Sequence, residues 1–195
     1  YSAHEAGGIV RYYSRFIALD DDGSDIKMLR QDRGSGDSWG IMAYGGQIID
    51  WTGERPGEVL MIRHYIPETT IRTRLAQTEE GFGVDSVDIR TLDTRKVETP
   101  DPRAREFITD GRGNVRIMGR IETRGGYSTG KRFYLYRSAG ERSWDLLSTV
   151  EPGNGEFDPY GVDPETDLAY GLKRHNGRLA AFSKTLDGAG TETLI

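Results

Sequence analysis

The sequence contains no cysteine, which excludes disulfide bonds, thiolate zinc sites and thiol nucleophiles. No apolar run approaches the roughly 18 residues of a membrane-spanning helix. A basic excess, which would indicate a general nucleic-acid-binding surface, is also lacking, because 26 basic residues are outnumbered by 31 acidic ones. Composition therefore predicts a soluble chain with no nucleic-acid partner and no membrane span, and it leaves the compartment, cytoplasmic or periplasmic, open.

Glycine is the abundant residue, with 26 among 195, about 13% against an average near 7%. Glycine adopts positive φ without steric cost, so many glycines combined with 10% aromatic residues are typical of short strands joined by tight turns. No window longer than about ten residues keeps a helical period. The best attempt, residues 70–76, is interpreted as one helical turn in a long 66–83 loop.

One hairpin pattern recurs three times: an apolar stretch that ends in aspartate, a polar turn, and a second apolar stretch. The aspartates are Asp50, Asp110 and Asp163. A second kind of hairpin lies between these copies, with turns at 92–94, 138–141 and 186–188, and a fourth copy turns at 20–23. Asp-Gly and Asn-Gly turns between such stretches are strong hairpin signals.

Alternation of the two hairpins predicts an all-β chain built from four-stranded antiparallel units, the blade of a β-propeller. The predicted blades are 43–98, which contains the 66–83 loop, 104–150 and 157–195, preceded by the last two strands of another blade at 9–30. Propellers close with typically four to eight blades. Residues 1–195 are therefore interpreted as one incomplete propeller domain excerpted from a longer polypeptide. An open β-sandwich of similar strand count is the alternative.

Gly126-Tyr127-Ser128-Thr129-Gly130 matches the G-x-S-x-G nucleophile elbow. The elbow requires a hydrophobic strand before the serine and a helix after it. Here a strand-like stretch follows, so we interpret Ser128 as part of a hairpin loop. Asp20-Asp21-Asp22-Gly23 has glycine at the wrong position for a calcium-binding EF-hand loop and is interpreted as a turn.

The remaining titratable residues offer no specific chemistry. His4, His64 and His175 are interpreted as packed or exposed side chains and not as metal ligands, and His4 precedes any recognisable strand. The carboxylate pairs Glu79-Glu80 and Asp85 with Asp88 are interpreted as solvated turns. Three arginines are interpreted as a solvated, salt-bridged rim, with carboxylate binding as the alternative: Arg63, Arg72 and Arg74.

Residues 83–91 and the turn at 108–116 resemble the propeller of the S9 prolyl oligopeptidase family, and within it the bacterial dipeptidyl aminopeptidase/acylaminoacyl peptidase branch. Residues 157–163, followed by Asn176-Gly177-Arg178 and Leu186-Asp187-Gly188, add to the resemblance. It runs from about residue 9 to the end. Hairpin turns of this kind also occur in TolB-like propellers.

The resemblance implies a serine peptidase whose propeller gates access of short peptides to a C-terminal α/β-hydrolase domain. That domain of the same polypeptide and a peptide substrate are the implied partners. No residue of this chain matches the triad, so the chain itself is predicted to be catalytically silent, with no catalytic, cofactor-binding or metal-binding residue and no cofactor.

Two other functions remain open. One is a TolB-like or WD-like binding or scaffold propeller. The other is a five-bladed glycosidase, which would require Asp50, Asp110 and Asp163 to converge on a central channel. We expect these aspartates to begin hairpin turns instead.

Overall fold

The computed structural model describes residues 2–6, 9–13, 16–29, 46–52, 55–67, 78–154 and 156–195. Within these ranges every regular element is a β-strand, which confirms the predicted all-β class. In the same ranges, no helix is long and apolar enough to cross a membrane. The strands are β1 (Ser2–Ala6), β2 (Ile9–Tyr13), β3 (Ile17–Ala18), β4 (Lys27–Met28), β5 (Gln47–Asp50), β6 (Glu58–Tyr65), β7 (Gly81–Asp88), β8 (Thr94–Asp101), β9 (Ala104–Thr109), β10 (Val115–Arg124), β11 (Tyr127–Tyr136), β12 (Asp145–Val150), β13 (Asp158–Asp163), β14 (Leu168–His175), β15 (Arg178–Thr185) and β16 (Glu192–Leu194).

Three sheets have four antiparallel strands each: β5–β8, β9–β12 and β13–β16. In each of them, neighbouring strands are consecutive along the chain. Such a meander is the topology of a propeller blade, whereas β-sandwiches use Greek-key connections. The structure therefore bears out the predicted four-stranded antiparallel units.

The chain divides into two units, Tyr1–Ile48 with Arg55–Pro102, and Ile49–Glu54 with Arg103–Ile195. In the first unit, the β5–β8 sheet packs against the short β3–β4 hairpin. Their shared apolar cluster is Leu29, Val59, Met61 and Val87, flanked by Phe16, Ala18, Ile48 and Ile89. The central strands β6 and β7 are buried for most of their length.

In the second unit, the sheets β9–β12 and β13–β16 pack through one apolar cluster. Its buried members are Ile117, Tyr134, Tyr136, Leu147, Phe157, Ala169 and Leu186, with Ile108, Val150, Val162 and Phe182 packed around them. Strand β14 shows the period-two burial that this packing requires. Ala169 and Gly171 are buried, while Tyr170 between them is 37% exposed. One face of the β13–β16 sheet thus covers the core and the other faces outward.

The N-terminal strands differ from the prediction. The apolar stretch that was expected to form one strand at 12–18 is divided between two sheets, since β2 pairs with β1 and β3 pairs with β4. His4, expected to precede any strand, lies in β1 opposite Arg11. Period-two patterning assigns faces to a strand but does not select its partner. The helical turn predicted at 70–76 lies outside the described residues.

Gly171 lies where two chain segments approach closely. A Cβ atom at this position would lie 2.5 Å from the Asp158 carbonyl oxygen and 2.8 Å from Cζ of the Phe157 ring. Both neighbours are held in place, one by the β13–β14 ladder and the other by the apolar core. Glycine is therefore required here by lack of space.

We expect Gly171→Ala to lower the free energy of unfolding by about 1–3 kcal/mol, because the backbone or the Phe157 ring must move to admit the methyl group. Gly161→Ala is the matched control, since a Cβ at that position meets nothing within 4 Å. Urea denaturation of both variants measures the difference. Equal stability of the two variants would contradict the packing argument.

Candidate functional site

The three recurrent aspartates begin the first hairpin turn of their sheets. Asp50 accepts hydrogen bonds from the Thr52 N–H at 2.7 Å and the Gly113 N–H at 3.0 Å. Asp110 accepts from the backbone N–H groups of Arg112 at 2.9 Å and Asn114 at 3.1 Å. Their carboxylates therefore satisfy turn donors, as expected.

Asp163 has the same arrangement in the last sheet. It accepts from the Glu165 N–H at 2.9 Å and the Thr166 hydroxyl at 2.7 Å, and the Glu165 bond in particular lowers the pKa of Asp163. A carboxylate held ionised in this way is a poor general acid. The recurrent aspartates thus stabilise turns, and their geometry gives no support to the glycosidase alternative.

Ser128 lies in β11, opposite Thr123 of β10, and its hydroxyl accepts a hydrogen bond from the Gly130 N–H at 3.2 Å. Strand β11 continues after it where an elbow would need a helix. His64 stacks on Phe82 with ring centroids 4.6 Å apart. Each is placed by strand pairing or packing, as the hairpin interpretation expects.

His175 ends β14 and meets the Phe182 ring edge-on at 5.9 Å. Among the described residues, no group of three or more histidine, aspartate or glutamate side chains is arranged to hold a metal ion. Asp22 of the acidic 20–23 turn accepts the Ser24 N–H at 2.8 Å, so this segment forms a hairpin turn.

Arg63 is not on a solvated rim, so this interpretation was wrong. It lies on β6 with a side chain that is 6% exposed, and its Nη1 donates to Oδ2 of Asp85 at 2.5 Å. The Tyr65 hydroxyl donates to Oδ1 of Asp85 at 2.6 Å, and the guanidinium lies 4.9 Å from the Tyr65 ring centroid. Gly81 and Gly83 lie opposite Tyr65 and Arg63 in the register. Arg72 and Arg74 lie outside the described residues.

Asp85 and Asp88 do not act as a carboxylate pair. Asp85 is buried in the Arg63 cluster, whereas Asp88 accepts the Arg90 N–H at 2.7 Å and the Thr91 N–H at 2.9 Å in the following turn. The backbone bond from Thr91 is the main reason that the pKa of Asp88 is lowered. The two aspartates are three positions apart in the sequence, which places them on opposite faces of the strand.

An open groove of about 280 Å³ lies in the second unit, between the loop that follows β12 and the outward face of the β13–β16 sheet. We call it the hairpin groove. Val150, Pro152, Leu172 and Leu179 supply its apolar surface. Polar and charged side chains surround that surface: Arg132, Glu151, Asn154, Glu156, Asp158 and Arg174.

Tyr160 is the aromatic wall of the hairpin groove. It is the extra residue of a β-bulge between Pro159 and Gly161, and 65% of it is exposed. Leu179, on the same outward face, is 67% exposed. A bulge turns a side chain away from the regular ladder and is common beside functional sites. The groove thus presents a large ring to solvent next to apolar surface.

The ends of two central hairpins border the hairpin groove, one from β10–β11 and one from β14–β15. Residues 120–132 and 172–179 together carry seven Lys or Arg residues and one carboxylate, Glu122, although the whole chain has an acidic excess. We call them the basic hairpin ends. Arg132 of the first and Arg174 of the second both line the groove. Folding therefore brings Lys and Arg residues of the two hairpin ends together at the groove, although the whole chain has a net charge of −5.

Ion pairs at the groove neutralise part of this charge. Lys131 Nζ lies 2.6 Å from Oε1 of Glu151, and this bond raises the pKa of Lys131. Arg132 contacts Asp158 at 2.9 Å and donates to the Tyr134 hydroxyl at 2.8 Å. Burial raises the pKa of Tyr134, so its phenol stays protonated and donates to Glu106. In the part of the chain that the structure describes, Arg174 and Arg178 form no ion pair with a carboxylate.

Comparison with known proteins found two similar curated sequences. An uncharacterized RNA methyltransferase of Streptomyces avermitilis is 29% identical over an alignment of 161 residues, which covers 70% of this chain and 34% of that protein. An uncharacterized RNA methyltransferase of Streptomyces coelicolor is 28% identical over 165 residues, covering 70% of this chain and 32% of that protein. The chain thus spans about a third of the length of the curated relatives it matches. No family model and no solved structure matches it.

These relatives overturn the peptidase interpretation. The resemblance to the S9 prolyl oligopeptidase family was wrong, and so were the function drawn from it and the partners it implied, a hydrolase domain and a peptide. The resemblance rested on hairpin turns, which report local backbone geometry and recur in unrelated β-proteins. The TolB-like or WD-like alternative gains no specific support.

The prediction that excluded a nucleic-acid partner was also wrong, since both relatives are named as acting on RNA. Net charge averages over the whole chain, whereas binding depends on local charge. Locally, Lys173-Arg174-His175-Asn176-Gly177-Arg178 has three basic residues and no carboxylate. The groove itself could not be found from sequence, because its walls come from two separate sheets.

We expect Asp85→Asn to lower the free energy of unfolding by about 3 kcal/mol or more, because it removes a countercharge from the buried Arg63 guanidinium. Tyr65→Phe is the control that removes only one hydrogen bond, at a cost of about 1 kcal/mol. Urea denaturation at neutral pH compares them. A smaller loss for Asp85→Asn than for Tyr65→Phe would contradict a charge-based role.

A third stability prediction depends on pH. Burial opposes ionisation of Glu192, but hydrogen bonds from Lys173 at 2.6 Å and Lys184 at 3.1 Å outweigh it and lower its pKa. A lowered native pKa stabilises the fold above the ordinary value of 4.5 and ceases to do so as pH falls through the native value. We therefore expect Glu192→Gln to cost about 1 kcal/mol at pH 7 and progressively less as the pH falls below 4.5. Thermal melts across this range test it, and a pH-independent difference would contradict it.

Proposed function

We propose that this chain is an RNA-binding part of an RNA-modifying protein of the methyltransferase type. The observation that carries the proposal is the cluster of Lys and Arg residues at the basic hairpin ends, where Arg174 and Arg178 are exposed and form no ion pair with a carboxylate among the described residues. The names of the two relatives agree with it. RNA binding needs such a local basic surface beside exposed aromatic rings, because phosphates attract cations and unstacked bases stack on rings.

The basic hairpin ends hold the RNA backbone in this proposal. Arg174 and Arg178 provide guanidinium groups near the mouth of the hairpin groove, and Arg124 on the other hairpin has a side chain that is 81% exposed. Tyr127, beside Arg124, is 82% exposed. One guanidinium group can bind two oxygens of a phosphate at once, so a few exposed arginines suffice for a salt-dependent interaction.

The domain division from sequence stays part of this proposal. Residues 43–98, 104–150 and 157–195 would be successive blades of one incomplete propeller domain, and the presence of one four-stranded sheet in each stretch supports this. We assign no catalytic, cofactor-binding or metal-binding residue to the chain. Its part in the proposed function is to hold RNA.

The test is fluorescence anisotropy of the 195-residue chain with a 5′-labelled single-stranded RNA at several potassium chloride concentrations. Affinity should fall linearly with salt on logarithmic axes, by roughly 0.7 in slope for each phosphate contact. The double variant R174A/R178A should weaken binding and make the slope shallower by roughly 1.4.

R90A/R95A is the charge-matched control, because it also removes two exposed arginines but these belong to the first unit and not to the basic hairpin ends. Its affinity should stay close to that of the unmodified chain. Absence of RNA binding, or an equal loss for both double variants, would refute the proposed function.

A further inference from the structure

The hairpin groove differs in charge from the basic hairpin ends around it. Two arginines, Arg132 and Arg174, line it together with three carboxylates, Glu151, Glu156 and Asp158. Arg132 is already engaged by Asp158, so the interior of the groove does not attract phosphate. A ligand that fits must be uncharged, partly apolar and able to donate hydrogen bonds to carboxylates.

The strand register orders these groups along the outward face of the sheet. Glu156 precedes β13, Asp158 begins it and Tyr160 follows two residues later. Asp158 and Tyr160 are two residues apart in the chain, and both line the groove. Leu172 pairs with Asp158 across the ladder and provides an apolar surface beside them.

We propose that the hairpin groove binds one unpaired guanine base of a single-stranded RNA. This inference rests on the proposed function, because the basic hairpin ends must first hold the RNA backbone. Tyr160 stacks on the face of the base, and the apolar residues cover the rest of its surface. Stacking on an aromatic side chain accepts every base, so Tyr160 contributes affinity rather than selectivity.

Carboxylates select guanine among the four bases. Its Watson–Crick edge presents two adjacent donors, N1–H and the N2 amine, which match the two oxygens of one carboxylate. Adenine and uracil do not present two such adjacent donors. Glu156 is the acceptor assigned here: its Oε2 accepts the Thr149 N–H at 3.2 Å, and among the described residues its Oε1 accepts no protein hydrogen bond.

The experiment compares the affinities of the full 195-residue chain for four labelled oligouridylates that carry guanine, inosine, adenine or uracil at the central position. Guanine should bind at least about fivefold more tightly than uracil. Inosine keeps N1–H and lacks the N2 amine, so its affinity should lie between the two. Preference for adenine or equal affinity for all four would overturn the inference.

Two variants assign the contacts. Tyr160→Leu should weaken binding of the guanine oligonucleotide roughly fivefold or more, through loss of stacking. Glu156→Gln should remove the difference between guanine and inosine, because an amide offers one acceptor oxygen instead of two. The matched controls are Tyr170→Leu and Glu165→Gln. Tyr170 lies on the same outward face but outside the groove, and Glu165 lies in the turn beside Arg112. Both controls should leave the affinity for the guanine oligonucleotide and the difference between guanine and inosine unchanged.

The outcomes separate the two proposals. Failure of every oligonucleotide to bind would overturn the proposed function together with this inference. A different result would overturn only this inference. In that case binding is salt-dependent and weaker in R174A/R178A, but it shows no preference for guanine and is unaffected by Tyr160→Leu. Thermal melts of each variant confirm that it is folded, so that a loss of binding reports on the groove.

Discussion

A four-stranded antiparallel sheet has two faces, and in the second unit only one of them is covered. The β9–β12 and β13–β16 sheets bury one face each around Tyr134 and Phe157, both nearly inaccessible to solvent. The core is apolar and dense enough that no methyl group fits at Gly171. The outward face of β13–β16 is left exposed. The candidate site exists because the same sheet that closes the core has this second face.

Polar side chains differ between the two ends of the strands in the second unit. At one end of the strands, aspartates such as Asp110 accept the N–H groups of their own turns and hold the hairpins in register. Asp50 also reaches the Gly113 N–H of another hairpin turn. At the other end, the central hairpins carry Lys and Arg residues, some of them paired with carboxylates such as Glu151 and Asp158. Arg174 and Arg178 are exposed there and form no ion pair with a carboxylate among the described residues, so a chain of net acidic charge still presents basic groups locally.

Buried charge in the first unit has a structural explanation. Arg63, Asp85 and Tyr65 satisfy one another on the face of a sheet whose central strands are almost fully buried. Such a cluster fixes side-chain positions within the core, and it lies outside the groove. Glu156 and Arg174 instead line the open hairpin groove.

Much of the fold was determined by the sequence itself, because turns and period-two alternation are local properties. Glycine and aspartate at 110–113 set a hairpin whatever the rest of the chain does. The basic character of 173–178 is equally local and was readable in the sequence. Only the tertiary structure decided that Arg63 is buried, because its countercharge Asp85 is 22 residues away. It alone brought the β10–β11 and β14–β15 hairpins to one groove, since sheet packing depends on contacts between segments that are distant in sequence.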